Sequence, residues 1–499
     1  MSKHLSRRSL LNAGLGVGAA GAAGAMAASP ARALSRTDSP SGADAASKVF
    51  DAIVVGAGFA GLTAARDLAA AGKQVLVLEA RNRVGGRVHD VTLDNGGHVE
   101  AGAQFTGPTQ THLQALATSL GVETFQGYNA GDGVYYSDGT PTRFSGLLPP
   151  LPDASLQALF QTIATLDAMA ATVPVDAPWT APDAEALDAQ TLDSWATANV
   201  SDPNVQAIVR VMANGALSAE ARDMSMLWFL FYIAASGDES DQGTVERLIG
   251  TVGGARDSRF TGGPQQIATR MAASLGSGVV LNSPVRKITQ SGTTATVATD
   301  SFSYRARSVV VALPPTLASR IVYAPALPAA RDQLTQRFPL GSIGKVIAVY
   351  DTPFWRDAGL NGQAASTSGS VRSTFDNSPP DGAYGALIGA LDGDQMREVD
   401  GLTDGEIQQR ALADLANYFG PQAGRPSQFI LKRWDSEEYT RGGAPAFAAP
   451  GVLTRYGAAI RRPVGLIHWA GAETATHWCG HLEGAVRSGE RAAAEILGG

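Results

Sequence analysis

The segment from Phe50 to Arg87, FDAIVVGAGFAGLTAARDLAAAGKQVLVLEARNRVGGR, limits the fold more than any other part of the chain. It predicts a short buried strand at Ile53–Val55, a helix over about Gly58–Ala71, and a second apolar strand, QVLVLE, that ends at Glu79. A strand, a glycine turn, a helix and a second strand in this order are typical of a parallel α/β sheet.

Three glycines at G-x-G-x-x-G spacing, Gly56, Gly58 and Gly61, join the first predicted strand to the helix. Such glycines allow a tight turn, a close approach of the backbone to a pyrophosphate, and close packing of the helix on the sheet. The helix N-terminus adds free N–H groups and the positive end of the helix dipole. Glu79 lies 18 residues after Gly61, where a carboxylate can hydrogen-bond ribose hydroxyls. The segment therefore predicts nucleotide binding.

The composition excludes several classes of protein. The chain has 499 residues, enough for more than one domain, and its 44% hydrophobic and 17% charged residues are typical of a globular protein. The net charge is −7 and no run is rich in Lys and Arg, so we expect no nucleic-acid partner. A single cysteine, Cys479, excludes an intramolecular disulfide and a cysteine-rich zinc module.

The N-terminus has the pattern of an export signal. SRRSLL at 6–11 precedes the mild apolar stretch NAGLGVGAAGAAGAMAAS, and ARA at 31–33 is a small-x-small cleavage pattern. This arrangement resembles a twin-arginine signal; a basic tail or a membrane anchor is the alternative, although the stretch is weakly apolar for spanning. We predict a signal at 1–33, a linker at 34–47, and a periplasmic or secreted protein carried by the twin-arginine translocation machinery.

The string EARNRVGGR indicates whether the bound dinucleotide is NAD or FAD. Gly85, Gly86 and Arg87 form a second glycine turn, with a cation that can approach the same pyrophosphate. The string resembles the FAD motif of the flavin monoamine oxidase family. The resemblance covers nearly all of the mature chain in order and spacing, and its segments include AGAQFTGPTQTHLQALATSLGVETF, MLWFLFYI, FTGGPQQIATRM, PLGSIGKVIAVYDTPFW and HWAGAETATHWCGHLEGAVRSGERAAAEIL.

The resemblance implies an α/β fold in which a Rossmann-like FAD-binding domain is interleaved with an α+β substrate domain. It assigns 48–125, 258–336 and 429–499 to the first domain, and 126–257 and 337–428 to the second. It also implies FAD as the cofactor. The residues expected to contact FAD are Gly56, Gly58, Ala60, Gly61, Glu79, Ala80, Arg81, Gly85, Gly86, Arg87, Val285, Trp434, Gly471, Glu473 and His481.

Lys345 is the predicted catalytic residue. It alternates with Ile343, Ile347 and Val349 in a strand pattern, so it points where apolar residues point. A buried lysine tends to lose its proton, whereas a lysine on an edge strand can extend to solvent. PLGSIGK resembles the family stretch whose lysine holds a water at flavin N5, which favours the catalytic interpretation.

The predicted substrate pocket departs from the family pattern. Many monoamine oxidases hold the substrate nitrogen between two aromatic rings, but Ala444 and His481 stand at those positions here. We therefore predict a bulkier amine, or another ring such as Trp478 turning in. Ala255 stands where a glutamine is often found, and Leu248 completes the predicted pocket.

The resemblance implies oxidation of an amine to an imine, which hydrolyses to an aldehyde or ketone, with O2 reduced to H2O2. An L-amino acid oxidase is one alternative; it needs an arginine for the carboxylate, and Arg247 and Arg256 are candidates, although both are typical of solvated surface charges. A dehydrogenase that passes electrons to a carrier protein is another, and a non-catalytic FAD-binding protein is disfavoured by Lys345. A homodimer is the assembly to be considered.

The stretch ATHWCGHLEGA places Cys479 between His477 and His481. The spacing lacks a paired C-x-x-C or an H-x-x-x-H, so we predict neither a metal site nor a catalytic triad. Cys479 is predicted to be a small packing residue and His477 a structural one. Some relatives attach FAD through a cysteine, but the matching position here is Gly443, which predicts non-covalent FAD.

Overall fold

The computed structural model of the protein describes residues 48–146 and 148–498. The predicted signal and linker lie outside the described residues. Within them, no helix combines the length and apolar composition that crossing a bilayer requires.

The strands are β1 Val49–Val55, β2 Val75–Leu78, β3 Asp90–Thr92, β4 His98–Glu100, β5 Phe105–Thr106, β6 Thr124–Gln126, β7 Asp132–Ser137, β8 Thr140–Phe144, β9 Ser258–Phe260, β10 Val279–Val280, β11 Val285–Ser291, β12 Thr294–Thr299, β13 Ser303–Val311, β14 Val322–Ala324, β15 Ile343–Tyr350, β16 Leu360–Ser366, β17 Ser373–Asp376, β18 Gly385–Asp392, β19 Gln428–Arg433 and β20 Ile467–Trp469.

The α-helices are α1 Phe59–Ala70, α2 Thr111–Ser119, α3 Asp153–Ala170, α4 Ala184–Asp188, α5 Leu192–Asn199, α6 Pro203–Leu217, α7 Met226–Ala234, α8 Val245–Ile249, α9 Gln265–Leu275, α10 Pro315–Ala318, α11 Ala329–Gln336, α12 Phe354–Asp357, α13 Asp394–Glu398, α14 Asp404–Phe419, α15 Val452–Tyr456 and α16 Leu482–Leu497.

The larger sheet is the predicted nucleotide-binding sheet. Its strand order is β10-β2-β1-β13-β12-β11-β14, and β20 also pairs with β13. The strands β2, β1, β13 and β20 run parallel, which brings their carboxyl ends to one edge. Residues of β1 alternate between two apolar cores: Val54 packs with residues of α1 and α16, whereas Ile53 and Val55 pack on the opposite face. The α/β prediction is therefore confirmed.

The second sheet carries Lys345. Its order is β19-β15-β18-β17-β16-β7-β8, so β15 lies between two strands and is not at an edge. Lys345 is paired with Ala390 of β18 and Lys432 of β19. The predicted domain boundary between 428 and 429 falls at the start of β19, which belongs to the second sheet. A domain boundary placed after β19 would keep all strands of this sheet in the substrate domain.

The helices α3 to α8 form a layer on one side of the predicted substrate domain. Its largest core includes every residue of α7, MLWFLFYIA, all of which are buried. The apolar faces of SLQALFQTIATLDAMAATV and MLWFLFYIAAS predict helices in both segments, and the structure places α3 and α7 there. This helical layer, the second sheet and the carboxyl edge of the larger sheet enclose a cavity.

Candidate functional site

A cavity of about 830 Å³ runs from the carboxyl edge of the larger sheet to the second sheet and the helical layer. Its volume is within the range of small-molecule and cofactor sites. Both glycine turns border this cavity, and the part of the lining that they form is called the cofactor end. The part formed by Lys345, Leu248, Ala255 and His481 is called the far end. The cavity thus brings together residues that lie far apart in the sequence.

The first glycine turn has the geometry that the spacing predicts. Gly56 has φ +101°, and a Cβ there would lie 2.9 Å from the Ala312 carbonyl oxygen. A Cβ on Gly61 would lie 2.0 Å from the Gly56 oxygen, so Gly61 serves helix packing and does not border the cavity. Gly58 and Ala60 border the cavity at the start of α1, which has no acidic residue in its first turn. Its free N–H groups are available to an anion.

Glu79 follows β2 directly and holds the turn. Its Oε2 accepts a hydrogen bond from the Ala57 N–H at 2.8 Å, and its Oε1 accepts one from the Arg81 N–H at 3.0 Å. Arg81 borders the cavity and donates to the Thr440 hydroxyl, and its Nε lies 3.8 Å from Glu437 Oε2. Its guanidinium places positive charge beside the cavity, which suits a phosphate.

The second glycine turn presents Arg87 to the cavity. Arg87 forms a two-pronged ion pair with Glu473, with distances of 2.6 and 2.9 Å, and donates to the Ala444 carbonyl oxygen at 2.8 Å. Glu473 also accepts from the Ala446 N–H at 3.1 Å. Glu473 is buried behind Arg87 and does not border the cavity. In this arrangement Glu473 fixes Arg87, and its predicted contact with the cofactor stays a prediction.

Two other predicted cofactor contacts lie beside the cavity. Ala80 borders a separate recess of about 730 Å³, together with Arg83, His89 and Lys432. Val285 is paired with Thr299 in the sheet and does not border the cavity described above.

Trp434 and Gly471 do border the cavity, as predicted. The indole Nε1 of Trp434 donates to the Ala101 carbonyl oxygen at 2.8 Å, which fixes the ring. Gly471 has φ +123° and its N–H donates to the Ser488 hydroxyl at 3.0 Å.

Lys345 faces the cavity from β15, an interior strand of the second sheet. Its Nζ donates to the Gly102 carbonyl oxygen at 2.5 Å and to Gln104 Oε1 at 2.8 Å. Because an ammonium has three donors, one remains for the cavity. Burial lowers the pKa of Lys345 to about 8, although the carboxylates of Glu100 and Asp392 oppose this shift. The edge-strand alternative is therefore wrong, since β15 is an interior strand.

His481 precedes α16 and presents one free nitrogen. Its Nδ1 lies 3.1 Å from the Cys479 carbonyl oxygen, and a carbonyl only accepts, so the proton is on Nδ1. Burial lowers the pKa of His481 to about 4; the hydrogen bond with the Cys479 carbonyl opposes this shift and the charge of Arg256 contributes to it. The imidazole is then neutral at pH 7, and Nε2, which has no hydrogen-bond partner in the described part of the chain, is an acceptor.

Tyr232 and Trp478 hold the His481 ring. Tyr232 stacks on it, with centroids 5.6 Å apart and planes at 24°. Trp478 meets it edge-on at 5.0 Å, and the indole donates to Thr109. Trp478 is 1% exposed and does not border the cavity. Trp478 thus supports His481 from behind, which corrects the expectation that it could replace a cage ring.

Ala444, Ala255 and Leu248 border the cavity, as expected of pocket residues. Arg256 also borders it, where its guanidinium donates to the Ile249 and Gly215 carbonyl oxygens, both at 3.1 Å. The interpretation of Arg256 as a surface charge is wrong because the loop before β9 turns inward.

Arg247, the other arginine candidate, does not border the cavity. It pairs with Asp241 at 2.6 Å, next to solvent.

Cys479 is buried, with its Sγ 3.7 Å from the Glu473 carbonyl oxygen. Burial raises the pKa of its thiol, which keeps it protonated and unreactive at neutral pH. The Nδ1 of His477 lies 3.8 Å from Glu239 Oε1, and His477 does not border the cavity.

The polar residues of the cavity that sequence reasoning missed include Gln104, Tyr232 and Asp392. Tyr232 is part of the fully buried α7, whose apolar run gives no functional signal. Gln104 lies within AGAQFTG, and its position as a fixed acceptor for Lys345 depends on a contact 241 residues away. Asp392 ends an apolar strand, and an acid at a strand end is the only signal that the sequence offers.

The cavity suits FAD by its own features. Side chains are excluded at Gly56, and a Cβ on Gly86 would lie 3.3 Å from the Gly58 Cα, so two backbone turns approach closely enough to cradle a pyrophosphate. The N-termini of α1 and α16 both border the cavity, through Ala60 and Leu482. Arg81 and Arg87 supply the positive charge. The residues present therefore fit a flavin dinucleotide.

A dinucleotide-binding sheet, two glycine turns on one cavity and a lysine at its far end define a flavin-dependent oxidoreductase. The sequence profile described as "Flavin containing amine oxidoreductase" matches residues 59–497. The chain is 40% identical over 451 residues to a putative flavin-containing monoamine oxidase, AofH, of Mycobacterium tuberculosis, covering 89% of this chain and 96% of the relative.

A putrescine oxidase of Kocuria rosea is 38% identical over 462 residues, covering 90% and 95% of the two chains. The solved cyclohexylamine oxidase of Brevibacterium oxydans IH-35A superposes with a TM-score of 0.85 at 35% identity, over 90% and 99% of the chains. The protein belongs to the flavin-containing amine oxidoreductases, and its cofactor is FAD. It is an amine oxidase that uses oxygen as electron acceptor.

Proposed function

We propose that the amine binds between the FAD and the His481–Tyr232 ring pair, with Lys345 as the catalytic residue. The observation that supports this most is the placement of Lys345 Nζ, which is held by Gly102 and Gln104 and keeps one donor for the cavity. When bound, FAD supplies the two-electron oxidation of the amine to an imine and passes the electrons to oxygen, giving peroxide.

Lys345 orients a water and exchanges a proton at Nζ. Two of its donors are fixed, so the third has one direction, which restricts where the water can lie. With its pKa near 8, both protonation states are accessible close to neutral pH. Gln104 is a positioning residue because it acts through Lys345.

His481 accepts an N–H of the substrate amine at Nε2 and so directs the amine. The tautomer is set by the Cys479 carbonyl and the ring plane by Tyr232 and Trp478, which leaves the acceptor in a defined position. Ala444, with only a methyl group, leaves space beside it. This combination favours an amine bulkier than a small arylalkylamine.

A panel of amines and amino acids, assayed for peroxide per substrate consumed, tests the function. We expect amines to be oxidised with stoichiometric peroxide and amino acids to be poor substrates. Oxidation of amino acids in preference to amines supports an L-amino acid oxidase that uses Arg256. Substrate oxidation without peroxide supports a dehydrogenase.

Lys345→Met tests the catalytic assignment. We expect FAD to remain bound while turnover falls about 100-fold, mostly in the reoxidation of the flavin by oxygen. Lys287→Met is the control, because it makes the same change on β11 of the larger sheet, at a residue that does not border the cavity. Wild-type rates of anaerobic reduction and of reoxidation in Lys345→Met contradict the assignment.

We further propose that FAD is bound without a covalent link, because Gly443 borders the cavity where a linking cysteine is found in some relatives. The motif at 6–11 and the cleavage pattern at 31–33 support export by the twin-arginine machinery to the periplasm or the medium. Fractionation of expressing cells, with and without the twin arginines, tests this. Light scattering of the purified protein tests whether it forms a homodimer.

A further inference from the structure

Asp392 is a carboxylate of the cavity that the proposed reaction does not use. It ends β18, where it is paired with Ile343, and Lys345 is paired with Ala390 two residues earlier. Alternate residues of a strand point to one face, so Asp392 and Lys345 share the cavity face. Their positions are displaced by one two-residue step, roughly 7 Å along the strand.

One oxygen of Asp392 is free. The residue is 7% exposed and borders the cavity. Its Oδ1 accepts a hydrogen bond from the Ser218 hydroxyl at 2.7 Å, and within the described residues no donor reaches Oδ2. A buried carboxylate with an unpaired oxygen lowers stability, so a ligand that donates to it gains binding energy there.

The two cations near Asp392 do not occupy this oxygen. Both Nη atoms of Arg256 donate to backbone carbonyls, and its guanidinium lies 5.5 Å from the centre of the Phe375 ring. Lys345 donates to Gly102 and Gln104. Arg256 and Lys345 therefore favour the ionised carboxylate only through their fields and leave Oδ2 open to a third cation.

We infer that Asp392 is a subsite for a second cationic group of the amine substrate, an inference that rests on the proposed function. The reacting amine lies between the FAD and His481, and a distal ammonium donates to Asp392 Oδ2 in a charge-assisted hydrogen bond. Asp392 and Lys345 share one face of the sheet in neighbouring positions, so both nitrogen atoms of one small substrate lie in this part of the cavity. The substrate class is thus a diamine or an amine with a similarly placed second cation.

Steady-state kinetics of the holoenzyme on matched substrates test this inference. Putrescine and cadaverine are compared with butylamine and pentylamine, in the wild type and in Asp392→Asn, which keeps shape and the Ser218 contact. We expect kcat/KM for the diamines to fall about 10- to 100-fold, mostly through KM. The monoamines should change little, and flavin absorbance should match that of the wild type.

Asp138→Asn is the matched control. Asp138 also borders the cavity, at the tight turn between β7 and β8, so the variant makes the same change of charge away from the second sheet. We expect it to leave the preference for diamines unchanged. An equal loss in Asp138→Asn shows that overall charge governs the preference and overturns the subsite.

A pH series on the wild type is a second readout that does not depend on how the variant folds. Burial raises the pKa of Asp392 to about 6. Ser218, Arg256 and Lys345 oppose this shift, and Glu220 contributes to it. As the pH falls through about 6, the carboxylate takes up a proton. The ratio of diamine to monoamine kcat/KM should fall with it in the wild type and stay flat in Asp392→Asn.

The outcomes separate the inference from the function beneath it. A wild-type enzyme that oxidises none of the amines overturns the proposed function and the subsite together. Oxidation of monoamines with equal diamine preference in the wild type and Asp392→Asn overturns the subsite alone. A preference for ω-amino acids over diamines assigns this part of the cavity to Arg256 and also overturns it.

Discussion

The two ends of the cavity differ in how their polar groups are satisfied. At the glycine turns, the charged side chains mostly bind one another or the backbone: Glu79 holds the turn, and Glu473 holds Arg87. At the far end, Asp392 and His481 each keep an acceptor without a protein partner in the described residues. The cofactor end is thus a preformed scaffold, whereas the far end keeps its hydrogen-bonding capacity for a ligand.

The largest expected effect is at the scaffold. Gly56→Val introduces a branched side chain at φ +101°, with its Cβ 2.9 Å from the Ala312 oxygen, and strain of this kind costs about 1–3 kcal/mol before the clash is counted. We expect almost complete loss of bound FAD, measured as flavin absorbance per protein. Gly72→Ala is the control, because Gly72 also has a positive φ, +79°, but open space around it. Full flavin absorbance in Gly56→Val contradicts the cradle.

The ion pair behind the scaffold gives the next largest effect. Glu473→Gln removes the partner of Arg87, and breaking a buried pair costs about 3–5 kcal/mol. We expect this loss in the free energy of unfolding of the flavin-free protein, and a smaller loss with FAD, whose phosphates supply a new partner. Asp241→Asn, which breaks the Arg247 pair at the surface, should cost less than about 1 kcal/mol. Equal losses with and without FAD argue against Arg87 as a phosphate contact.

At the far end, removal of a charge should raise the free energy of unfolding instead of lowering it. Burial raises the pKa of Asp392 from its ordinary 3.8 to about 6, so the folded state binds the proton more tightly than the unfolded chain. Stability is therefore lost as the pH rises from about 4 to about 6. Asp392→Asn should be more stable than the wild type by about 1–3 kcal/mol at pH 7, and the gain should vanish below pH 4. Denaturant unfolding at both pH values measures it; a loss of stability at pH 7 contradicts the open carboxylate.

Cys479→Ser should have the smallest effect. The thiol is small and buried, and a serine hydroxyl can donate to the same Glu473 carbonyl oxygen. We expect stability within about 1 kcal/mol of the parent, nearly unchanged turnover, and all flavin in the supernatant after acid precipitation. A yellow pellet that loses its colour in Cys479→Ser would make this cysteine the point of flavin attachment.

Local sequence predicted the scaffold well because its function depends on backbone geometry. Only glycine allows the approach at positions 56 and 61, so its spacing is readable from the chain, and β1, α1 and β2 begin and end within a few residues of their predicted bounds. Lys345 was predicted from the family resemblance together with the strand pattern. Glu473 was predicted near the cofactor, but its position behind Arg87 depends on a contact across 386 residues.

The sequence by itself determined the nucleotide-binding fold and the family, and it predicted Lys345 as the catalytic residue, because these depend on local periodicity, glycine spacing and motifs in order. Only the tertiary structure decided which polar groups face the cavity. Arg256 turned inward with its loop, Trp478 fell behind His481, and Asp392 came to lie beside Lys345 through the register of β15 and β18. Strand register and loop direction are set by packing between distant segments, and the residues themselves carry no local signal of it.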